Sequence, residues 1–106
     1  MHLIRAIIQP TKLSNVRDAL VNVGVGEISI SDATGYGRQR GQRPSFRGNE
    51  YKVDLLRKIV LEMVVSDQII DDVLATIERV AKTGADGQIG DGKVFVMPIA
   101  QAIDIG

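Results

Sequence analysis

The chain has 106 residues, 44% of them hydrophobic, with 13 basic and 13 acidic side chains, no cysteine and one histidine. That length fits one domain, 1–106, with a modest core and much surface left exposed, which favours self-association. Zero net charge argues against a dedicated nucleic-acid binder; the lack of cysteine excludes disulfides, thiolate metal sites and a thiol nucleophile; and His2 cannot build a metal cluster alone. No apolar run approaches the length that spans a bilayer, and no charged-then-apolar leader is present. A soluble cytoplasmic protein without membrane insertion is therefore expected.

His2 to Gln9 (HLIRAIIQ) is rich in Leu and Ile and stops at Pro10, which offers no amide donor, so a buried first strand is predicted. From Thr11 the period changes: Leu13, Val16, Leu20 and Val23 recur at helical spacing, and Gly24 sits where a C-terminal cap belongs. Glu27 to Thr34 opens with Ile28 and Ile30 alternating with Ser29 and Ser31, the two-residue period of a half-buried strand. Leu55 to Val65 predicts a third strand, with Ile59, Leu61, Met63 and Val65 on one face and Val60, Glu62 and Val64 on the other. Ser66 is placed to cap a second helix and Asp67 to sit at its positive end, while the stripe from Ile69 through Val73 and Ile77 to Ala81 runs on to an end near Gly84. Lys93 to Met97 supplies a fourth strand before Pro98. The order βαββαβ with right-handed crossovers predicts an α+β fold, a four-stranded antiparallel sheet with both helices on one face. The bare face needs a cover, and the expected cover is another copy of the chain.

Two connections carry the candidate chemistry. Gly35 to Lys58 is too long for a turn, lacks apolar periodicity, and holds Arg38, Arg40, Arg43, Arg47 and Lys52 against Glu50 and Asp54, with Tyr36, Phe46 and Tyr51 displayed among them. Glycine hinges, aromatics and bidentate-capable arginines in one excursion favour partner binding over a merely solvated loop. The second connection, TGADGQIGDGK, has Gly84, Gly87, Gly90 and Gly92 ahead of Lys93. It is either an anion nest of backbone amides or a plain turn. It is not a Walker A loop, because Val94 stands where the magnesium-holding Ser or Thr belongs and the segment leads into a strand. Lys58 is either a snorkelling edge residue or the partner of a ligand carboxylate. A small phosphotransfer or nucleotide-hydrolysing enzyme would need a general base or nucleophile beside the glycine turn, and none is visible, so the chain is expected not to be an enzyme. The predicted strands also lack the pair of stacking aromatics of an RNA-binding sheet.

GYGRQRG (Gly35 to Gly41), RGNEYKVDLLRK (Arg47 to Lys58) and TG…IGDGKVFV (Thr83 to Val96), in this order, resemble the signatures of the PII signal-transduction family of nitrogen regulation over essentially the whole chain. The resemblance implies a homotrimer of ferredoxin-like subunits with ATP, ADP or AMP in the clefts between them. It makes 37–55 the partner-docking T-loop and 83–93 the glycine-rich B-loop. It further implies that Gly37, Arg38, Gly90, Asp91, Gly92 and Lys93 attend the phosphates and ribose, and that Ser29, Glu62 and Val64 border the adenine. Gln39 would help hold a magnesium ion that 2-oxoglutarate also ligates, and Lys58 would pair with a carboxylate of that acid. Tyr51 matches a tyrosine that some bacterial members have uridylylated. By resemblance the partners are an ammonium transporter or enzymes controlling glutamine synthetase, with no direct role for nucleic acid.

The departures from the family pattern matter equally. Where the family ends on I-R-I-R, this chain has Ile103, Asp104, Ile105 and Gly106, so two arginines that would clamp the outer phosphates are missing. That exchange should cost on the order of a few kcal/mol of phosphate attraction and weaken ATP relative to ADP or AMP. The B-loop carries extra residues around Ala85 to Gly87, and Gln9 stands where a basic residue is common, which weakens the expectation for 2-oxoglutarate. The alternative expectation is a divergent ADP or AMP sensor serving carbon uptake or another pathway. Gly106 follows directly on a strand-like segment, as in a chain that continues beyond it.

Overall fold

A computed structural model describes residues 1–33 and 57–106. Its elements are β1 (His2–Ile8), a 3-10 turn (Pro10–Lys12), α1 (Leu13–Asn22), β2 (Ser29–Asp32), β3 (Ile59–Val65), α2 (Ile70–Ala81) and β4 (Gly92–Pro98). The strands form one antiparallel sheet in the order β2-β3-β1-β4. This is the ferredoxin-like arrangement expected from βαββαβ.

Alternation along the strands sorts the sheet into two faces. Ile4, Ala6 and Ile8 of β1 pair in register with Met63, Leu61 and Ile59 of β3, and all six join Val16 and Leu20 of α1 and Val73 and Ile77 of α2 in one buried cluster. Both helices therefore pack on the same face. The other face presents Leu3, Arg5 and Ile7 of β1, Val60, Glu62 and Val64 of β3, and Lys93, Phe95 and Met97 of β4. Val64 and Phe95 remain 46% and 41% exposed there although Ile7 is buried, so this face, crossed by Arg5, Glu62 and Lys93, leaves large apolar side chains partly uncovered in the single chain.

Local chemistry explains the boundaries. Pro10 turns the chain into one 3-10 turn before α1, so the helix begins two residues beyond the change of period at Thr11. At its end Gly24 adopts φ +104, its amide donates to the Val21 carbonyl and the Val25 amide to the Leu20 carbonyl, both at 3.1 Å; this is a Schellman cap that turns Val25 into the core.

Three expectations need correction. β2 is an edge strand exposed along its whole length, with Ile30 at 43%, because only Ile28, just before it, reaches the core. Ser66 does not cap α2: its carbonyl accepts the Ile69 amide in a preceding turn, and Asp71 and Asp72 hold the helix's first turn. Asp67 instead accepts from the N-terminal ammonium at 2.9 Å and contacts His2 Nδ1 at 3.1 Å. Nor does a strand follow Pro98: residues 99–106 have no regular structure, and Ile103 and Ile105 are 74% and 97% exposed. No helix among the described residues is long and apolar enough to cross a membrane.

Leu61 is fully buried between both helices and the neighbouring strands. Leu61→Ala should therefore lower stability by about 2–5 kcal/mol, whereas Ile30→Ala should cost well under half as much. Urea unfolding at fixed protein concentration measures both.

Candidate functional site

The turn between α2 and β4 is built around one carboxylate. Asp91 Oδ2 accepts the amides of Thr83 and Gln88, each at 2.8 Å, and Oδ1 accepts the Thr83 hydroxyl at 2.6 Å and the Gln9 side-chain amide at 3.0 Å. The Asp91 amide in turn donates to the Gln88 carbonyl at 3.1 Å. Gly84, Gly87 and Gly90, with φ of +72, +78 and +96, supply the left-handed bends that bring those amides inward. Between the two readings of this connection, backbone amides do converge on an anion, and that anion is the chain's own Asp91 carboxylate. Hydrogen bonds from Thr83 first, then from the Thr83 and Gln88 amides, hold the Asp91 carboxyl down at about 2.

Gly92 fixes the turn to the sheet. A Cβ placed on it would lie 2.1 Å from the Ile7 carbonyl oxygen, so only glycine lets β4 begin this close to β1. Lys93 follows, in register with Ile7 and exposed on the open face. Beside it a cavity of about 400 Å³ opens between α2 and β4, with Leu74, Ile77 and Val94 in its wall and Lys82, Asp91 and Lys93 among its polar lining.

Lys58 is brought to the same turn from the other direction: its ammonium donates to the Gly90 carbonyl at 2.5 Å. It therefore does not simply snorkel at a strand edge. The Ala33 amide donates to the Lys58 carbonyl at 2.9 Å, and Arg57 pairs with Asp32 at 3.0 Å, so the two ends of the 34–56 segment are joined at its base. Gly37, Arg38, Gln39 and Tyr51 lie outside the described residues.

The expected site residues thus fall into two groups. Lys58, Gly90, Asp91, Gly92 and Lys93 gather at the α2–β4 turn. Ser29, Glu62 and Val64 share the open face on β2 and β3, where Ser29 pairs in register with Glu62. Glu62 is paired there: Arg5 Nε donates to its Oε2 at 2.7 Å, across the centre of the face. β2 and β4 are the two edges of the sheet: the first group centres on the start of β4, with Lys58 reaching it from the start of β3, and the second lies on β2 and β3. Sequence reasoning missed Gln9 and Thr83 as partners of Asp91. The TG-to-DG spacing of the turn was a signal for Thr83, but nothing local pointed to a contact 82 residues apart from Gln9.

The fold and this turn define a class, a ferredoxin-like α+β subunit whose second crossover ends in a carboxylate-centred glycine turn. Residues 1–105 match the family model described as nitrogen regulatory protein P-II, and the chain belongs to that family. It is 47% identical over 105 residues to nitrogen regulatory protein P-II of Klebsiella oxytoca and to nitrogen regulatory protein P-II 1 of Escherichia coli, covering 99% of this chain and 91% of each relative. It is 45% identical to nitrogen regulatory protein P-II of Nostoc punctiforme over the same extent. The chain is accordingly a regulatory signal-transduction protein, not an enzyme.

The Asp91 contacts carry a pH signature. Its carboxyl is lowered from 3.8 to about 2 in the folded chain, so its contribution to stability is complete above pH 4 and is lost as pH falls from about 4 through about 2. Acid unfolding of Asp91→Asn, which keeps the shape but loses the charge, should be flatter over that interval and the protein less stable at neutral pH.

Proposed function

We propose that the chain acts as a cytoplasmic homotrimeric sensor that binds adenine nucleotide between subunits and regulates proteins of nitrogen metabolism through its 37–55 loop. The observation carrying this reading is the split of the expected ligand residues between the β4 edge and the β2–β3 side of one sheet. A head-to-tail ring brings the β2–β3 edge of one subunit against the β4 edge of the next. Lys93 and the amides near Gly90 and Gly92 then attend the phosphates, while Ser29, Glu62 and Val64 of a neighbouring copy border the adenine. The partly uncovered apolar side chains of the open face, Leu3, Val64, Phe95 and Met97, support the same assembly, since they would leave water on ring closure.

Magnesium with 2-oxoglutarate is part of the proposal through Gln39 and Lys58. The Lys58 ammonium has a carbonyl partner, not a carboxylate, so an incoming acid would gain a charged partner by displacing a neutral one. The nucleotide state would bias the loop's arrangement, and the loop would block or release an ammonium transporter or an enzyme controlling glutamine synthetase. Tyr51 is the proposed position for uridylylation.

A second reading is favoured by the tail. Asp104 and Gly106 occupy the positions of two phosphate-clamping arginines, and Asp104 lies in an exposed segment. This suits a sensor of ADP or AMP that serves carbon uptake or another pathway. Calorimetric titration of the assembled protein with ATP, ADP and AMP, each with and without magnesium and 2-oxoglutarate, separates the two. Tight ATP binding that alone admits 2-oxoglutarate, lost in Lys58→Ala, supports the nitrogen sensor. ADP or AMP binding at least tenfold tighter than ATP, with no heat from 2-oxoglutarate, supports the divergent one.

A further inference from the structure

We propose that Gln9 is a positioning residue that sets how strongly the 83–93 turn discriminates among nucleotides by phosphate charge, an inference resting on the reading of that turn as the phosphate half-site. The argument starts from what surrounds Asp91. Its carboxylate accepts from the Thr83 amide, the Thr83 hydroxyl, the Gln88 amide and the Gln9 side-chain amide, and all four donors are neutral. Among the described residues no Lys or Arg forms an ion pair with it. Lys12 donates to the Lys82 carbonyl at 3.3 Å and Lys58 to the Gly90 carbonyl, while Lys82 and Lys93 line the same cavity as Asp91 without forming an ion pair with it. Neutral dipoles make every direct contact to the Asp91 charge, and Lys12 acts on it only from a distance, so the charge is solvated without being paired. It therefore stands, two residues before Lys93, as a fixed negative charge inside the turn.

Of the four donors only Gln9 comes from outside the turn. It follows β1 directly and precedes Pro10, whose ring fixes the start of the 3-10 turn, so its backbone is well anchored. Gln9 thus ties the turn to the sheet while leaving the Asp91 charge intact. A cation of similar reach would tie it equally well and neutralise that charge. The choice of an amide at position 9 sets the field that each additional phosphate meets, and AMP, ADP and ATP differ in that charge. The same contact explains why an amide here removes no necessary hydrogen bond from the turn.

The test titrates the assembled protein with AMP, ADP and ATP at fixed ionic strength, in wild type and in Gln9→Lys, Gln9→Met and Asp91→Asn. Gln9→Lys is expected to raise affinity for ATP over AMP by roughly tenfold and to steepen the salt dependence of ATP binding. Asp91→Asn, which removes the charge itself, should move the ratio in the same direction. Gln9→Met, which loosens the turn without changing charge, should weaken all three nucleotides by a similar factor. If the ATP-to-AMP ratio stays at the wild-type value in both Gln9→Lys and Asp91→Asn, the proposal is overturned and Gln9 is only a tie between turn and sheet. Wild-type protein that binds none of the three overturns the phosphate half-site itself, and the proposal with it.

Discussion

The candidate site of this chain depends on how the α2–β4 turn meets β1. Two adjacent residues impose that meeting by different physics. Gly92 acts by absence: without a Cβ, β4 can start against the Ile7 carbonyl, and with one it cannot. Asp91 acts by attraction, gathering donors from Thr83, Gln88 and Gln9 onto a single carboxylate. Hydrogen bonds to an ionised acceptor are stronger than neutral ones, so this cluster fixes a glycine-rich segment that would otherwise carry high conformational entropy. Lys93 reaches the open face only because both conditions hold.

The open face poses a different problem. Its strands place large apolar side chains beside an Arg5–Glu62 pair at 2.7 Å, with both partners still well exposed. In the free chain such a pair contributes little, because water screens it. In the proposed assembly, which would cover this face, its meaning changes. An unpaired charge would resist burial strongly, whereas a pair already in contact lowers the desolvation cost of bringing a second copy down on it. A face with apolar rows and internally matched charges is therefore better suited to a partner surface than to permanent exposure.

Much of the fold was legible because periodicity is a strong signal where burial is one-sided. Ile59, Leu61, Met63 and Val65 alternate with Val60, Glu62 and Val64 in the sequence and again in the sheet. The Leu13-to-Val23 spacing and Gly24 marked α1 and its cap. What misled was local chemistry with a competing tertiary use. Ser66 and Asp67 look like a helix start, yet the N-terminal ammonium, 66 residues away in sequence, draws Asp67 outward. The tail reads as a strand because Ile103 and Ile105 alternate, but alternation specifies a strand only where an edge is available to pair with it. Within the site, glycine spacing left an anion nest and a plain turn open and did not reveal that Asp91 is the anion the turn holds. Amide-rich concavities bind whichever anion is nearest, and here the nearest is in the chain itself.

Lys58 links these separate features. It begins the run into β3, its carbonyl accepts from Ala33 at the base of the 34–56 segment, and its ammonium rests on Gly90. One residue therefore belongs at once to the base of the long segment and to the glycine turn. A ligand that draws the ammonium away from the Gly90 carbonyl must alter the turn, and one that reshapes the turn must alter where Lys58 rests. Because both effects act through the same atom, neither requires a transmitted path through the core: the coupling is a single contact with two alternative partners, and its size is limited to the difference in affinity between them.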